Sequence, residues 1–391
     1  MRVDVAVVGG GPAGLCLASA LADAGLEVAV LERQSLLALA EPVDDGREIA
    51  LTKASRERLE RLDVWSRIDP AYIHPLRAAR VMDGRGARPM EIAAPDHGLL
   101  GHLVSNAQIR RAAFEAANSR ASVQVVNHAD VQDIAIEGSG VRLHCAGDLS
   151  VLARLAVAAD SRFSAMRRLL GIGARMRDFG RSMLVCRMAH EQPHRQEAWE
   201  WFGYGQTLAL LPLWEGQSSV VLTLPHQLAQ AMQDLPPEDF ARAMQERFDH
   251  RLGSMRLLGE RHVYPLVGTY AQRFVAPRCA LVGDAAVGMH PVTAHGFNFG
   301  LQSAETLAAH LRAAVQSGRD IGSPHVLAAY EQAHRRATAP LYLATGLIAS
   351  LYTDDRPPAC FLRGALLGAA GRVPLFRRLV AAHLTRRASV A

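Results

Sequence analysis

The spacing of apolar positions changes period early in the chain. Val3, Val5, Ala6, Val7 and Val8 form a short, β-branched run that ends on Gly9-Gly10-Gly11-Pro12-Ala13-Gly14. That combination predicts a buried parallel strand rather than a helix. Leu15, Leu17, Ala18, Leu21 and Ala22 then recur at helical spacing, Gly25 falls where a helix would stop, and Val28 to Leu31 return to the strand pattern. The three segments predict a βαβ unit.

Further on, Leu36 to Arg47 reads as irregular and closes on the turn Asp44-Asp45-Gly46-Arg47, whereas Ala50 to Ile68 and Ala107 to Ala117 read as helices. Val123–Val126 and Val131–Ile136 read as strands, the second folding back on Val141–His144 across Gly138-Ser139-Gly140. Val151–Ala159 is another apolar strand. From Met183 to Leu224 the strands shorten (183–188, 207–211, 219–224), and connections too short for helical crossovers predict antiparallel pairing. A helix carrying Phe240, Met244 and Phe248 follows Pro236-Pro237. The apolar strand Cys279–Val282 then leads to Gly283-Asp284-Ala285-Ala286, a loop, a long helix through Ala304, Leu307 and Leu311, and a mostly helical remainder that includes Phe361–Ala370 and Phe376–Leu384.

In this setting the opening glycines acquire a chemical meaning. Gly9 permits a tight turn, Gly11 lets a pyrophosphate approach the backbone, and Gly14 lets helix and strand pack closely. Phosphates would rest on the helix N-terminus, where free N–H groups and the macrodipole favour negative charge, with Pro12 and Ala13 in the cofactor-binding turn. Glu32, followed by Arg33, closes the second strand eighteen residues beyond Gly14. Its carboxylate is placed to accept from ribose hydroxyls. Only one such fingerprint is complete.

Composition narrows the classes. The 391 residues, 49% hydrophobic and 21% charged, suffice for two domains with sizeable cores. A net charge of +5 without interleaved aromatic and basic residues argues against nucleic acid. Five cysteines lie far apart with no C-x-x-C pair, which reads as reduced thiols in a cytoplasmic protein. Sixteen histidines show no ligand spacing, so no metal is expected, and no apolar run reaches transmembrane length.

Four segments, in order, resemble the single-component FAD aromatic hydroxylases of the para-hydroxybenzoate hydroxylase superfamily. They are Gly9 to Gly14 with Glu32; Asp44-Asp45-Gly46-Arg47-Glu48-Ile49-Ala50-Leu51; Ala159-Asp160-Ser161-Arg162-Phe163-Ser164; and Gly283-Asp284-Ala285-Ala286 through His290-Pro291 to Gly296-Phe297-Asn298. Their variant strings look most like the UbiM-type branch of the ubiquinone-biosynthesis hydroxylases. The resemblance runs from residue 1 to about residue 350. It implies an α/β fold: a Rossmann-like FAD-binding domain (1–75, 95–178 and 268–352), an inserted, mainly antiparallel β-sheet substrate domain (76–94 and 179–267), and a C-terminal helical segment (353–391).

The resemblance also implies roles. Asp284 would accept from the flavin ribityl hydroxyls, and the Gly296-Phe297-Asn298 backbone would face the pyrimidine edge of the ring. Arg47 would lie beside the flavin, Asp160 between the FAD and NAD(P)H regions, Asn106 near FAD, and His290 and Pro291 at the flavin wall. Ser161 stands where relatives carry glycine, and Ala294-His295 where they carry Gly-Gln. The implied activity is monooxygenation of a prenylated phenol or quinol with NAD(P)H as reductant, at C5 of demethoxyubiquinol or another ring position. A prenyl-chain reductase, or a hydroxylase of another pathway, is the alternative. Trp199, Trp201, Phe202, Leu208, Leu210, Leu213 and Trp214 would form an apolar substrate wall or, equally, core. The basic, amphipathic stretch Phe376 to Arg387 would meet the inner-membrane surface or a biosynthetic partner.

Overall fold

The computed structural model describes residues 1–84, 89–94, 98–203, 205–290 and 296–353. The βαβ unit forms as its pattern predicts. Strand Arg2–Val8 leads into helix Pro12–Ala22, which returns to strand Val28–Leu31. Arg2–Val8 lies between Val28–Leu31 and Ser150–Ala158, parallel to both. Val123–Val126 and Cys279–Leu281 extend the parallel order on either side, and the antiparallel hairpin 131–145 joins the Ser150–Ala158 edge. Burial on both faces explains the unbroken apolar runs, as Val5, Ala6, Val7 and Ala29 are inaccessible to solvent. Leu15, Leu17 and Leu21 fix the helix onto the sheet, each contributing about 1.5–3 kcal/mol.

A second sheet has the order Val287–Gly288, Met255–Ala271, Ala174–His190, Gln217–Pro225, Gln206–Pro212, Glu197–Gly203, Ala78–Asp83, Met90–Ala93. Its pairs are antiparallel except Glu197–Gly203 with Ala78–Asp83, which run parallel. Helices His226–Asp234 and Pro237–Arg247 cover one face and enclose a separate core of Leu184, Cys186, Trp201, Leu210, Phe240 and Met244. A small third sheet joins Glu48–Leu51, Gly101–Ser105 and Ile73–Leu76.

Several expectations are corrected. Ala50 and Leu51, read as the start of a helix, belong to a strand, Glu48–Leu51, paired with Gly101–Ser105. The helix begins only at Lys53, where Thr52 Oγ1 accepts from Ser55 N and caps it. Helix Lys53–Arg61 ends well before Ile68, and Trp65–Arg67 forms a 3₁₀ turn. The supposedly irregular 36–47 stretch contains a short helix, Leu36–Ala40, capped by Ser35. The strand expected at 183–188 is 17 residues long, Ala174–His190, and Glu197–Gly203 and the 17-residue Met255–Ala271 were not anticipated. These two long strands run through positions 178 and 267, so the expected domain limits fall inside strands. Pro291, His295 and the C-terminal stretch 354–391 lie outside the described residues.

Candidate active site

The opening glycines are forced by contact as well as by conformation. Gly9 has φ +112°, and a Cβ there would sit 2.5 Å from the Ala159 carbonyl oxygen. A Cβ on Gly14 would lie 2.2 Å from Gly9 O and 3.2 Å from Ala159 Cβ. Gly11 differs, because nothing lies within 4 Å of its Cβ position. Space is therefore kept in front of a helix N-terminus that carries Pro12 in its first turn and no side-chain cap. Glu32 is buried at the end of the second strand, accepting from Gly10 N at 2.6 Å and from Gln34 N at 2.9 Å. Arg33 follows it, exposed, at the rim.

The Gly283–Ala285 turn meets the fingerprint directly, since Ala13 Cβ lies 3.3 Å from the Cβ position of Gly283. Both border one cavity of about 900 Å³, as do Asp160, Arg47, Asn106, His290, Gly296 and Phe297. Asp284 accepts from Arg162 Nη2 at 2.9 Å, and Arg162 Nη1 donates to Val267 O. The Asp160 carboxylate is occupied locally, taking the Ser164 hydroxyl and Met166 N. Ser161, beside it, has φ +93°, so the loop keeps a backbone shape suited to glycine. His290 is buried with its ring edge-on to Phe179 at 4.6 Å. Burial, then Arg162 and Arg177, pull its pKa down to about 4, which leaves a neutral imidazole at neutral pH. Asn298 acts as a staple: Oδ1 accepts from Thr52 N at 3.2 Å, and Nδ2 donates to Ala50 O at 2.8 Å. It thereby ties the Gly296–Gln316 helix to the 48–52 segment.

Arg47 and Asn106 are joined by a residue the motif reading left without a role. The Asp45 carboxylate accepts from Arg47 Nη2 at 2.6 Å and from Asn106 Nδ2 at 2.7 Å, while Arg47 stacks over the Tyr264 ring. Burial would raise the Asp45 pKa, but the Arg47 and Asn106 interactions outweigh it and hold the carboxyl below its ordinary value. Next to them, buried Glu48 pairs with Arg187 at 2.8 Å. Desolvation exceeds the benefit of that pairing and raises its pKa to about 7.

The uncovered face of the second sheet forms the far wall. Strand alternation sends Trp199, Trp201, Leu208 and Leu210 to the helix-covered core and Glu200, Phe202, Thr207, Ala209 and Leu211 to the cavity. Of the seven residues expected as a substrate wall, Phe202 lines the cavity. Leu213 is buried off it, and Trp214 packs on Tyr72 and His74. Glu200 was missed, because an acid in Trp199-Glu200-Trp201 reads as a solvated position. Among the described residues no helix is long and apolar enough to cross a membrane.

Residues 2–342 match the family described as the FAD binding domain. The chain belongs to this family. Ubiquinone hydroxylase UbiM of Neisseria meningitidis is 43% identical over 391 residues, covering 98% of this chain and 85% of that protein. Ubiquinone hydroxylase UbiL of Rhodospirillum rubrum is 34% identical over 381 residues (97% and 89%), and the 3-demethoxyubiquinol 3-hydroxylase of Escherichia coli 27% over 391 (96% of each). Among solved structures, p-nitrophenol 4-monooxygenase PnpA from Pseudomonas putida superposes with TM-score 0.79 at 20% identity over 99% of both chains, a likeness of fold. This FAD-binding chain is a flavoprotein monooxygenase by family, and its geometry fits the cofactor. The space in front of Gly11 and the uncapped helix N-terminus suit a pyrophosphate, and the cavity continues from there to the apolar sheet face.

Proposed function

We propose that this protein hydroxylates the aromatic ring of a prenylated phenol or quinol in ubiquinone biosynthesis, at C5 of demethoxyubiquinol, using FAD, O₂ and a reduced nicotinamide. One observation carries the reading: one cavity joins the dinucleotide fingerprint to a largely apolar β-sheet wall, so an extended cofactor and an apolar ring would share one continuous space. Bound FAD supplies the oxygen-activating chemistry. Gly9, Gly11, Pro12, Ala13 and Gly14 receive its pyrophosphate, Glu32 and Arg33 its adenosine ribose side, and Asp284 with Gly283 its ribityl chain. The Gly296, Phe297 and Asn298 helix start and the Asp45-held Arg47 and Asn106 orient the ring system. Asp160 holds the 159–164 loop beside Gly9. His290, neutral and buried with Pro291 next in sequence, excludes water on the substrate side.

The FAD-binding part comprises 1–75, 95–178 and 268–352, with the substrate part at 76–94 and 179–267. Membrane contact is assigned to the C-terminal stretch. In support, the Pro324–Thr353 helix leading into it exposes Leu343, Leu347 and Ile348 by 63%, 72% and 38%.

The test is quinone profiling of a deletion strain together with oxygen uptake by the purified holoprotein. The expected result is accumulation of demethoxyubiquinone, and NADH- or NADPH-driven oxygen consumption stimulated by its quinol. An unchanged quinone profile would remove the pathway assignment, and no donor-driven flavin reduction would remove the nicotinamide.

A further inference from the structure

We infer that Glu200 is the residue by which this cavity recognises a free ring hydroxyl, its carboxyl hydrogen-bonding that hydroxyl against the apolar sheet wall. The inference rests on the function proposed above for the same cavity. Glu200 sits in the Glu197–Gly203 strand between Trp199 and Trp201, whose side chains enter the core on the other face. Registers across the sheet place Ala209, Val221 and Val185 in its row, with Phe202, Thr207 and Thr223 in the next row of the cavity face. These neighbours are uncharged, and opposite Glu200 the alanine side chain leaves room over the carboxyl.

Among the described residues no ion pair or hydrogen bond to the Glu200 carboxyl is found, in contrast to Glu32, Glu48 and Asp45. The half-buried carboxyl opens to the cavity, so its polar partners are those the cavity contents supply. The side chain retains exposed surface only because the cavity reaches it. Burial alone raises its pKa to about 8, so at neutral pH it is a neutral acid, able both to donate to and to accept from a phenolic O–H. That pairing suits a phenol or quinol and rejects its methyl ether, whose oxygen cannot donate.

The test compares 2-prenylphenol with its O-methyl ether as ligands of the FAD-loaded protein, followed by the flavin absorbance change. The wild type should bind the phenol roughly tenfold more tightly than the ether, the ratio expected for one neutral hydrogen bond. Glu200→Leu, with unchanged FAD content and melting temperature, should bind the two equally, and Glu200→Gln should keep part of the preference. At neutral pH a protonated-carboxyl infrared band should shift on phenol binding and be missing from Glu200→Gln. Retained discrimination in Glu200→Leu, no discrimination in the wild type, or no such band overturns the assignment. If Glu200→Leu fails to fold, the Glu200→Gln affinity ratio and band decide alone. Discrimination that depends on Glu200 without donor-driven oxygen uptake would instead reject the proposed reaction while leaving this site in place.

Discussion

At the scale of single residues, the three fingerprint glycines do different work, and the difference is measurable. A methyl group on Gly14 meets backbone oxygen at 2.2 Å, whereas on Gly11 it points into open cavity. Gly14→Ala should therefore lose several kcal/mol of stability, about 3 by analogy with overpacked cores. Gly11→Ala should melt near the wild-type temperature yet retain little FAD. Thermal melts of the apoproteins and flavin content after purification separate the two, and a Gly11→Ala protein that purifies fully yellow would sink the phosphate role of that space. Ser161 offers a change of opposite sign. Its φ of +93° is strained for an L residue, so Ser161→Gly should stabilise the protein by about 1 kcal/mol in urea unfolding.

At the scale of elements, alternation along one strand sets core against cavity. Trp201, 5% exposed, packs in the second core, and its neighbour Phe202, 4% exposed, faces the cavity. Trp201→Ala should cost about 3–5 kcal/mol. Phe202→Ala should also cost stability and, unlike Trp201→Ala, raise KM for the aromatic substrate with FAD binding intact. An unchanged KM in Phe202→Ala would show that this ring does not meet the substrate.

The same strand shows what the sequence could and could not disclose. The βαβ unit was legible because strand, turn, helix and strand are contiguous and each carries its own signal, and the strand Cys279–Leu281 and the long helix from Gly296 were legible through their apolar patterns. Glu197–Gly203 was not, because its partners come from residues 78–83 and 206–212 and because Phe202, apolar beside Trp201, breaks the period of two that Trp199-Glu200-Trp201 begins. The end of Glu48–Leu51 was absorbed into the next helix at Ala50, since nothing local shows that residues 101–105 complete the strand. For the site, motifs pointed to Arg47 and Asn106 but not to Asp45 as the acceptor that joins them, a relation only the fold creates.

At the scale of the whole molecule, buried carboxyls couple stability to pH. Glu200 has a folded pKa of about 8 against an ordinary 4.5, so the native state holds its proton more tightly. That contribution is complete below about 4.5 and is lost as pH rises through about 8. Glu48, raised to about 7, acts in the same direction. His290, lowered from 6.5 to about 4, has the opposite effect and loses its contribution as pH falls through that window. Glu200→Gln should therefore flatten the decline in stability between pH 5 and 8, with a slope difference of at most about 1.4 kcal/mol per pH unit. Cavity water reaching the carboxyl makes that figure an upper bound. Urea midpoints across the window measure it, and parallel curves for wild type and variant would mean that Glu200 is ionised in the folded protein.

The two cores are separate clusters, yet one cavity is bordered from the side of both sheets, with Gly9 to Ala13 and Asp284 on the first and Val185, Phe202 and Thr223 on the face of the second that turns away from its core. A ligand that binds only the native cavity stabilises by RT ln(1 + [L]/Kd), about 2.7 kcal/mol at a hundredfold excess over Kd. FAD occupying this space should thus raise the unfolding midpoint of the second core as well as the first, although the fingerprint glycines border the first sheet alone. In a Trp65→Phe, Trp214→Phe variant, tryptophan fluorescence follows the second core through Trp199 and Trp201, and far-UV circular dichroism follows the whole chain. With saturating FAD the two signals should shift together. If only the circular dichroism transition moved, the flavin would be held by one core, and the substrate sheet would not share its cavity in solution.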